Sequence, residues 1–285
     1  GLAVWLGAGT VAEGAYLQLA FFVASTLLMM MLNNTNSLIR IYSRMVSCSF
    51  VAMTCAATFL FSSLESCATG TCFILFYLSL LRSYQDKRAP GIAFYSFACL
   101  GIASLFFVQI LYFVPFLWIL MASNMMALTH RMFWATVLGL VMPYWFAVGY
   151  YVVTNQFDAF IDHFAELAQF EPLLQYEALD IHRIATFGLV VLLAVIGIIH
   201  YMRNSYQDKI RTRMIFEMFI TVDILSFVFI ILQPQHFDNL LPIIIVNTSC
   251  LFAHYVALTR TWLTNVTFIV MCLATLGLTI FNLMP

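Results

Sequence analysis

The sequence predicts an all-α fold: a polytopic transmembrane helical bundle with about ten spans. Three observations lead to this prediction: a very apolar composition, a sorting of basic residues onto alternate loops, and a polar loop motif that occurs twice. The repeated motif further predicts that eight of the spans form two parallel four-helix repeats.

The composition indicates a membrane protein. Hydrophobic residues make up 63% of the 285 residues and charged residues only 9%, whereas soluble domains carry about 25% charged residues. No water-soluble shape can bury that much apolar surface, so the lipid bilayer is the expected partner. The net charge is -1 and no basic tract occurs. Nucleic acid is therefore excluded as a partner.

Apolar runs define the spans. A helix that crosses about 30 Å of hydrocarbon needs about 20 mostly apolar residues. Charges, prolines and polar clusters interrupt such runs at intervals that predict ten spans. They cover residues 15–32, 45–61, 68–81, 91–107, 110–128, 135–153, 184–200, 214–232, 241–258 and 265–283. The N-terminal spans lie in 1–67, and we expect a further piece to precede Gly1, which begins inside an apolar run.

Basic residues test these spans independently, because Lys and Arg concentrate in cytoplasmic loops. Eleven of the twelve fall in alternate loops, which are therefore predicted to be cytoplasmic. The opposite loops hold Arg183 as their one basic residue, together with eight acidic residues between Glu65 and Asp238. A wrong number of spans would have mixed the two sets.

One long loop, residues 154–183, lies on the outer side in this topology. Apolar residues recur at helical spacing in 157–168, which predicts an amphipathic helix on the outer membrane surface. Beside His163 this helix carries an acidic stripe at Asp158, Asp162 and Glu166. The stripe either binds a cation or is a solvated face, and the solvated face is favoured.

The motif Ser-Tyr-Gln-Asp-Lys occurs at residues 83–87 and again at 205–209, in both cases in a predicted cytoplasmic loop. An Ala-Leu-Thr stretch at 127–129 is echoed at 257–259. The offset between the copies grows from 122 to 130 residues. The two matches predict a duplicated unit. The alternative is that this motif simply caps a tight hairpin well and was selected twice.

The duplication divides the chain into segments. The first four-helix repeat is predicted at 68–153 and the second at 184–285, with the outer loop 154–183 between them. The eight additional residues of the second copy are expected in an outer loop at 233–240. Parallel repeats are common in transporters, but also occur in scaffolds that bind no substrate.

Asp223 is the main candidate for a functional group in the membrane. It lies near the middle of the eighth predicted span, roughly 14 Å from either end. A carboxylate there costs about 2.5 kcal/mol or more, so it must face the bundle interior, be paired or be protonated. It is either a proton- or cation-coupling group or a structural hydrogen-bonding group. An offset of 122 residues aligns it with Gly101.

Other polar groups also fall in predicted spans. Glu217 and His254 lie about one turn inside the cytoplasmic ends of the eighth and ninth spans. Their matching depths predict a contact between them, with Arg260 or His200 nearby, and a structural ion pair is the favoured role. Asn247 in the ninth span is expected to form hydrogen bonds between helices.

Catalytic templates such as GxSxG, HExxH and the P-loop do not occur in the sequence. The histidines and cysteines lack metal-ligand spacing, so neither a metal nor a cofactor is expected. An enzyme acting on lipid-linked sugars would need a carboxylate and basic groups at the outer face. Glu65 and Arg183 are the candidates there.

Four short stretches carry a resemblance to a known family. They are Phe61-Ser62-Ser63-Leu64-Glu65, Ala103-Ser104-Leu105-Phe106-Phe107, Tyr112-Phe113-Val114-Pro115 and Leu138-Gly139-Leu140-Val141-Met142-Pro143-Tyr144. Together they resemble a family of uncharacterised multi-spanning inner-membrane proteins of Bacteroidetes-type bacteria. The family pattern has an acidic residue where Ala135 follows Phe133 and Trp134. The resemblance implies a location and an architecture and carries over no catalytic residue.

These features lead to two functional hypotheses. The first is a non-enzymatic protein of the bacterial inner membrane, either transporter-like or a component of envelope assembly. Its expected partners are a small solute, a lipid-linked substrate or another membrane protein. The alternative is a polyprenyl-phosphate-dependent glycosyl- or lipid-transferase with an outer-face active site at Glu65 and Arg183.

Overall fold

The computed structural model describes residues 1–7, 16–168, 179–259 and 261–283. These residues form α-helices, 3-10 turns and short connections and contain no strand, so the all-α prediction is confirmed. The twelve helices are α1 (Leu2–Gly7), α2 (Tyr16–Asn36), α3 (Met45–Ala56), α4 (Leu64–Leu80), α5 (Pro90–Phe106), α6 (Val114–Ser123), α7 (His130–Val153), α8 (Phe157–Ala168), α9 (Ile181–Asn204), α10 (Ile210–Leu232), α11 (Phe237–Leu258) and α12 (Trp262–Leu283).

The chain divides into two compact units. Unit 1 consists of Gly1–Thr71 and Gln175–Pro285, and unit 2 consists of Cys72–Leu174. The division falls inside α4.

Seven helices of the described chain are long and apolar enough to cross a membrane, namely α2, α4, α7, α9, α10, α11 and α12. The other three predicted spans fall on shorter apolar helices, which are Met45–Ala56, Pro90–Phe106 and Val108–Ser123. Two 3-10 segments account for much of this shortening. Thr58–Phe61 follows α3, and Val108–Phe113 precedes α6.

The amphipathic helix predicted at 157–168 is present as α8, in unit 2. The rings of Phe160 and Phe164 lie against Tyr144 of α7, with centroids 6.4 and 5.0 Å away. His163 Nε2 lies 3.0 Å from the backbone oxygen of Ser104. The carboxylates of the acidic stripe are exposed. The imidazole is thus engaged with backbone, and the geometry favours the solvated face over the cation site.

Close helix packing in unit 2 depends on two glycines. A Cβ atom on Gly139 of α7 would lie 2.3 Å from the Phe94 oxygen of α5. A Cβ atom on Gly101 of α5 would lie 2.6 Å from the Leu140 oxygen of α7. Since real Cβ contacts are never that short, only glycine allows this helix separation.

The two predicted repeats have the same order of elements. α4, α5, α6 and α7 are matched by α9, α10, α11 and α12, with a 3-10 turn after the first and second helix of each set. In both copies of Ser-Tyr-Gln-Asp-Lys the aspartate N–H donates to the serine carbonyl, over 2.9 Å for Asp86 and 3.1 Å for Asp208. The C-cap residues of α5 and α10 also match: Phe107 has φ −142° and ψ 92°, and Gln233 has φ −133° and ψ 77°.

The copies differ in two respects. In unit 2, α5 packs most closely against α7, whereas in unit 1 both α9 and α10 pack against α11. The outer loop predicted at 233–240 is wrong, because Pro234–His236 is a 3-10 turn and α11 already begins at Phe237. Gln233 lies 126 residues after its counterpart Phe107, so about half of the added length precedes it and belongs to the longer α10.

Candidate functional site

Asp223 lies on α10 in unit 1 and is fully buried. It is thirteen residues beyond Ile210 and nine before Leu232, so it is about 14 Å from the nearer helix end. Thr248 of α11 donates its hydroxyl to Asp223 Oδ2 over 3.1 Å. Asp223 Oδ1 has no hydrogen-bond partner in the described part of the chain. The carboxyl group is thus held by one neutral donor.

Polar side chains accompany Asp223 on α10 and Thr248 on α11, and two of their hydroxyl groups form hydrogen bonds within their own helix. Asn247, Thr248 and Ser249 are consecutive on α11 and fully buried. The Ser249 hydroxyl donates to the Val246 carbonyl of its own helix over 2.8 Å. The Ser226 hydroxyl, less than one turn beyond Asp223, likewise donates within α10. Of the ion pairs found between described residues, none includes Asp223.

Asp223 was predicted from sequence, but its partner was not. Counting back from the matching C-caps aligns Asp223 with Phe97, and counting forward from the repeated motif aligns it with Gly101. No acidic residue occurs between these two positions. Gly101 has no space even for a Cβ atom. The buried carboxyl group is therefore specific to the second predicted repeat.

A second polar cluster, which we name the Asp208 node, joins three segments of unit 1. Asp208 Oδ2 lies 2.9 Å from His254 Nε2 of α11. Asp208 Oδ1 lies 3.2 Å from Arg40 Nε, in the connection between α2 and α3. The side chain of Asp208 is fully buried, and that of His254 is 1% exposed. Through these two contacts, Asp208 links the connection after α2 with the C-terminal part of α11.

The predicted contact between Glu217 and His254 is wrong. His254 Nε2 pairs with Asp208 instead, and His254 Nδ1 has no hydrogen-bond partner among the described residues. Glu217 lies half-buried on α10. The predicted proximity of His200 is confirmed, with ring centroids 5.6 Å apart. Arg260 lies outside the described residues.

Sequence reasoning missed Asp208 because its local sequence is the same as that of Asp86. Asp86 is exposed and accepts a hydrogen bond from the backbone N–H of Arg88. Asp208 instead meets a histidine and an arginine that are distant in sequence. The repeat offers one signal that could have found it. The two motifs share the aspartate, but the offset of 130 residues places His254 in the second predicted repeat where the first has Asn124.

No family model, curated protein or solved structure matches this chain. Among the described residues no cluster of histidine, cysteine and acidic side chains has the form of a metal site.

The outer-face candidates Glu65 and Arg183 behave differently in the structure. Arg183 makes a two-pronged contact with Asp238, over 2.9 Å from both Nε and Nη2. Its Nη1 donates to Asp180 over 2.7 Å, and its guanidinium lies 5.3 Å from the Phe59 ring centroid. Glu65 is exposed in the first turn of α4. With two carboxylates already on Arg183, the guanidinium is poorly placed to bind a phosphate.

Proposed function

We propose that this chain is a polytopic protein of the bacterial inner membrane with ten crossings, eight of which form two diverged four-helix repeats. The ten apolar helices support this, since each corresponds to one predicted span. The sorting of basic residues and the family resemblance support the location. The matching turns and caps support the duplication.

Within that architecture, we propose that the chain is a transporter in which Asp223 carries a proton in exchange for, or together with, a small solute. The main support for this proposal is that the Asp223 carboxyl group is fully buried and that one of its oxygens accepts no hydrogen bond from the described residues. A charged carboxylate in hydrocarbon is too costly without a cation beside it. Asp223 therefore rests in its neutral form, with a proton on the carboxyl group.

Release of this proton requires movement, because Asp223 has no exposed surface in this conformation. Pro242 lies inside α11, six residues before Thr248, and lacks the N–H that would bind the carbonyl four residues earlier. Gly70 of α4 packs against it, since a Cβ atom there would lie 2.9 Å from Pro242 Cβ. We infer that α11 bends at Pro242 and carries Thr248 away from Asp223.

Transport is tested by profiling solutes in cells and medium of a deletion strain, followed by reconstitution of the purified chain with the solute that changes. Asp223→Asn is expected to reduce accumulation driven by a pH gradient to background, because the amide cannot release a proton. Exchange of labelled for unlabelled solute should persist, since it needs no net proton movement.

Ser226→Ala is the matched control, because it removes a buried hydroxyl from the same helix but leaves the carboxyl group. It is expected to transport as the unaltered chain does. Full pH-driven accumulation by Asp223→Asn would reduce Asp223 to a structural hydrogen-bonding group. If accumulation instead followed a sodium gradient at constant pH, the coupling ion would be sodium and not the proton. An unchanged solute profile on deletion would overturn transport itself.

A further inference from the structure

A pocket of about 520 Å³, lined by both polar and apolar residues, opens beside the Asp208 node in unit 1. Its wall is formed by the connection between α2 and α3 and by Gln207, Lys209 and Thr212. The lining residues include Arg40 and Ser43 of that connection and Asn34 near the end of α2. We name it the headgroup pocket. It lies on the side of the chain that carries the basic residues.

The headgroup pocket favours an anion. Lys209 and Arg40 both line it, the latter paired with Asp208, and none of the described lining residues is acidic. Asp208, which lies between Gln207 and Lys209 in the sequence, is buried and contacts His254 and Arg40. Gln207 accepts hydrogen bonds from two of the five guanidinium N–H donors of Arg40, and Arg40 Nε faces Asp208 Oδ1 in an ion pair. Two donors remain for a ligand, and Lys209 is exposed at the start of α10.

A second pocket, of about 260 Å³, is apolar and begins close to the headgroup pocket in the amino-acid sequence. We name it the chain pocket. Its first wall residue, Met45, begins α3 two residues after Ser43 of the headgroup pocket. It continues past Cys48 of α3 to Phe252 of α11 and Phe268 of α12. Phe252 and Phe268 are each six residues from the helix end that faces the basic loops. They therefore lie about 9 Å below that end, at the depth of acyl chains.

We propose that the two pockets together bind one anionic phospholipid of the cytoplasmic leaflet. Its phosphate is held by Arg40 and Lys209, and one acyl chain occupies the chain pocket. Charge complementarity selects an anionic headgroup over a zwitterionic one, since basic pockets between helices bind such groups. Tyr42, which lines the headgroup pocket and is 83% exposed, provides the aromatic contact usual at a membrane interface. This site is separate from Asp223 and does not depend on the transport proposal.

Binding is measured by titrating the purified chain in neutral detergent with fluorescent phosphatidylglycerol, and with phosphatidylcholine of the same acyl chains. Saturable binding of about one phosphatidylglycerol per chain is expected, with weaker binding of phosphatidylcholine. Lys209→Gln is expected to weaken binding of phosphatidylglycerol about fivefold, as for one basic residue near an anionic surface. Cys48→Phe, which narrows the chain pocket, is expected to weaken binding of both lipids.

The repeated motif offers a matched control. Lys87→Gln changes the equivalent lysine of the first copy, which is equally exposed, and is expected to leave binding unchanged. Equal losses in the two lysine variants, or equal binding of the two lipids, would overturn the proposal in favour of general charge attraction. Competition by inorganic phosphate as effective as that by the lipid would indicate a soluble anion instead. Size-exclusion profiles confirm that each variant is folded, and Asp223→Asn should bind the lipid normally.

Discussion

Replacement of Asp208 by alanine is expected to lower the free energy of unfolding by about 3 kcal/mol. The reason is that the Asp208 carboxylate is the anion shared by Arg40 and His254. Its removal leaves a buried imidazole and an exposed guanidinium without their common partner, and a buried polar group that loses its partner costs more than the pair contributes. Unfolding of the purified chain by sodium dodecyl sulfate, followed by circular dichroism, measures the change.

Asp86→Ala is the control for this prediction, because it changes the same residue of the same motif in the first copy. Asp86 is exposed and has one hydrogen bond to the Arg88 backbone. Its loss is expected to cost less than about 1 kcal/mol. Equal destabilisation by both substitutions would show that the motif acts as a turn in each copy, and that the Asp208 node contributes no additional stability.

The fold was largely predictable because lipid imposes strong rules on sequence. Long apolar runs in lipid must be helical, and each predicted span does coincide with an apolar helix. The ends were less predictable. The run that contains Thr58–Phe61 is apolar throughout, yet α3 ends at Ala56 and tightens into a 3-10 turn. Hydropathy does not distinguish these two backbone forms, because it reports side chains and not hydrogen-bond patterns.

The candidate site was predictable only where one residue alone violates the pattern. Asp223 is such a residue, because a carboxyl group within an apolar run is conspicuous. Asp208 is not, because an aspartate in a polar loop has no unusual feature until His254 and Arg40 are placed beside it. Glu217 and His254 matched in depth along their helices, but depth does not fix which way a side chain faces. The rotation of a helix about its axis is set by packing, which the sequence pattern specifies weakly here.

Substitution of Gly139 by alanine is expected to destabilise the chain by about 2–3 kcal/mol, although alanine is the better helix former. The added Cβ atom would lie 2.3 Å from the backbone oxygen of Phe94 and 3.2 Å from the backbone nitrogen of Ala98. Backbone atoms cannot rotate away as a side chain does, so α5 and α7 must separate. That separation also loosens the contact of Gly101 with Leu140.

The comparison is made with Gly149→Ala on the same helix, where an added Cβ atom meets nothing within 4 Å. That variant is expected to be neutral or to gain up to about 1 kcal/mol from helix propensity. Both are measured by the same detergent unfolding titration. If the two variants were equally stable, α5 and α7 would have room for a methyl group between them. The small-residue face of α7 would then not determine the distance at which these helices pack. A loss confined to Gly139→Ala would assign that distance to backbone contact at this one glycine.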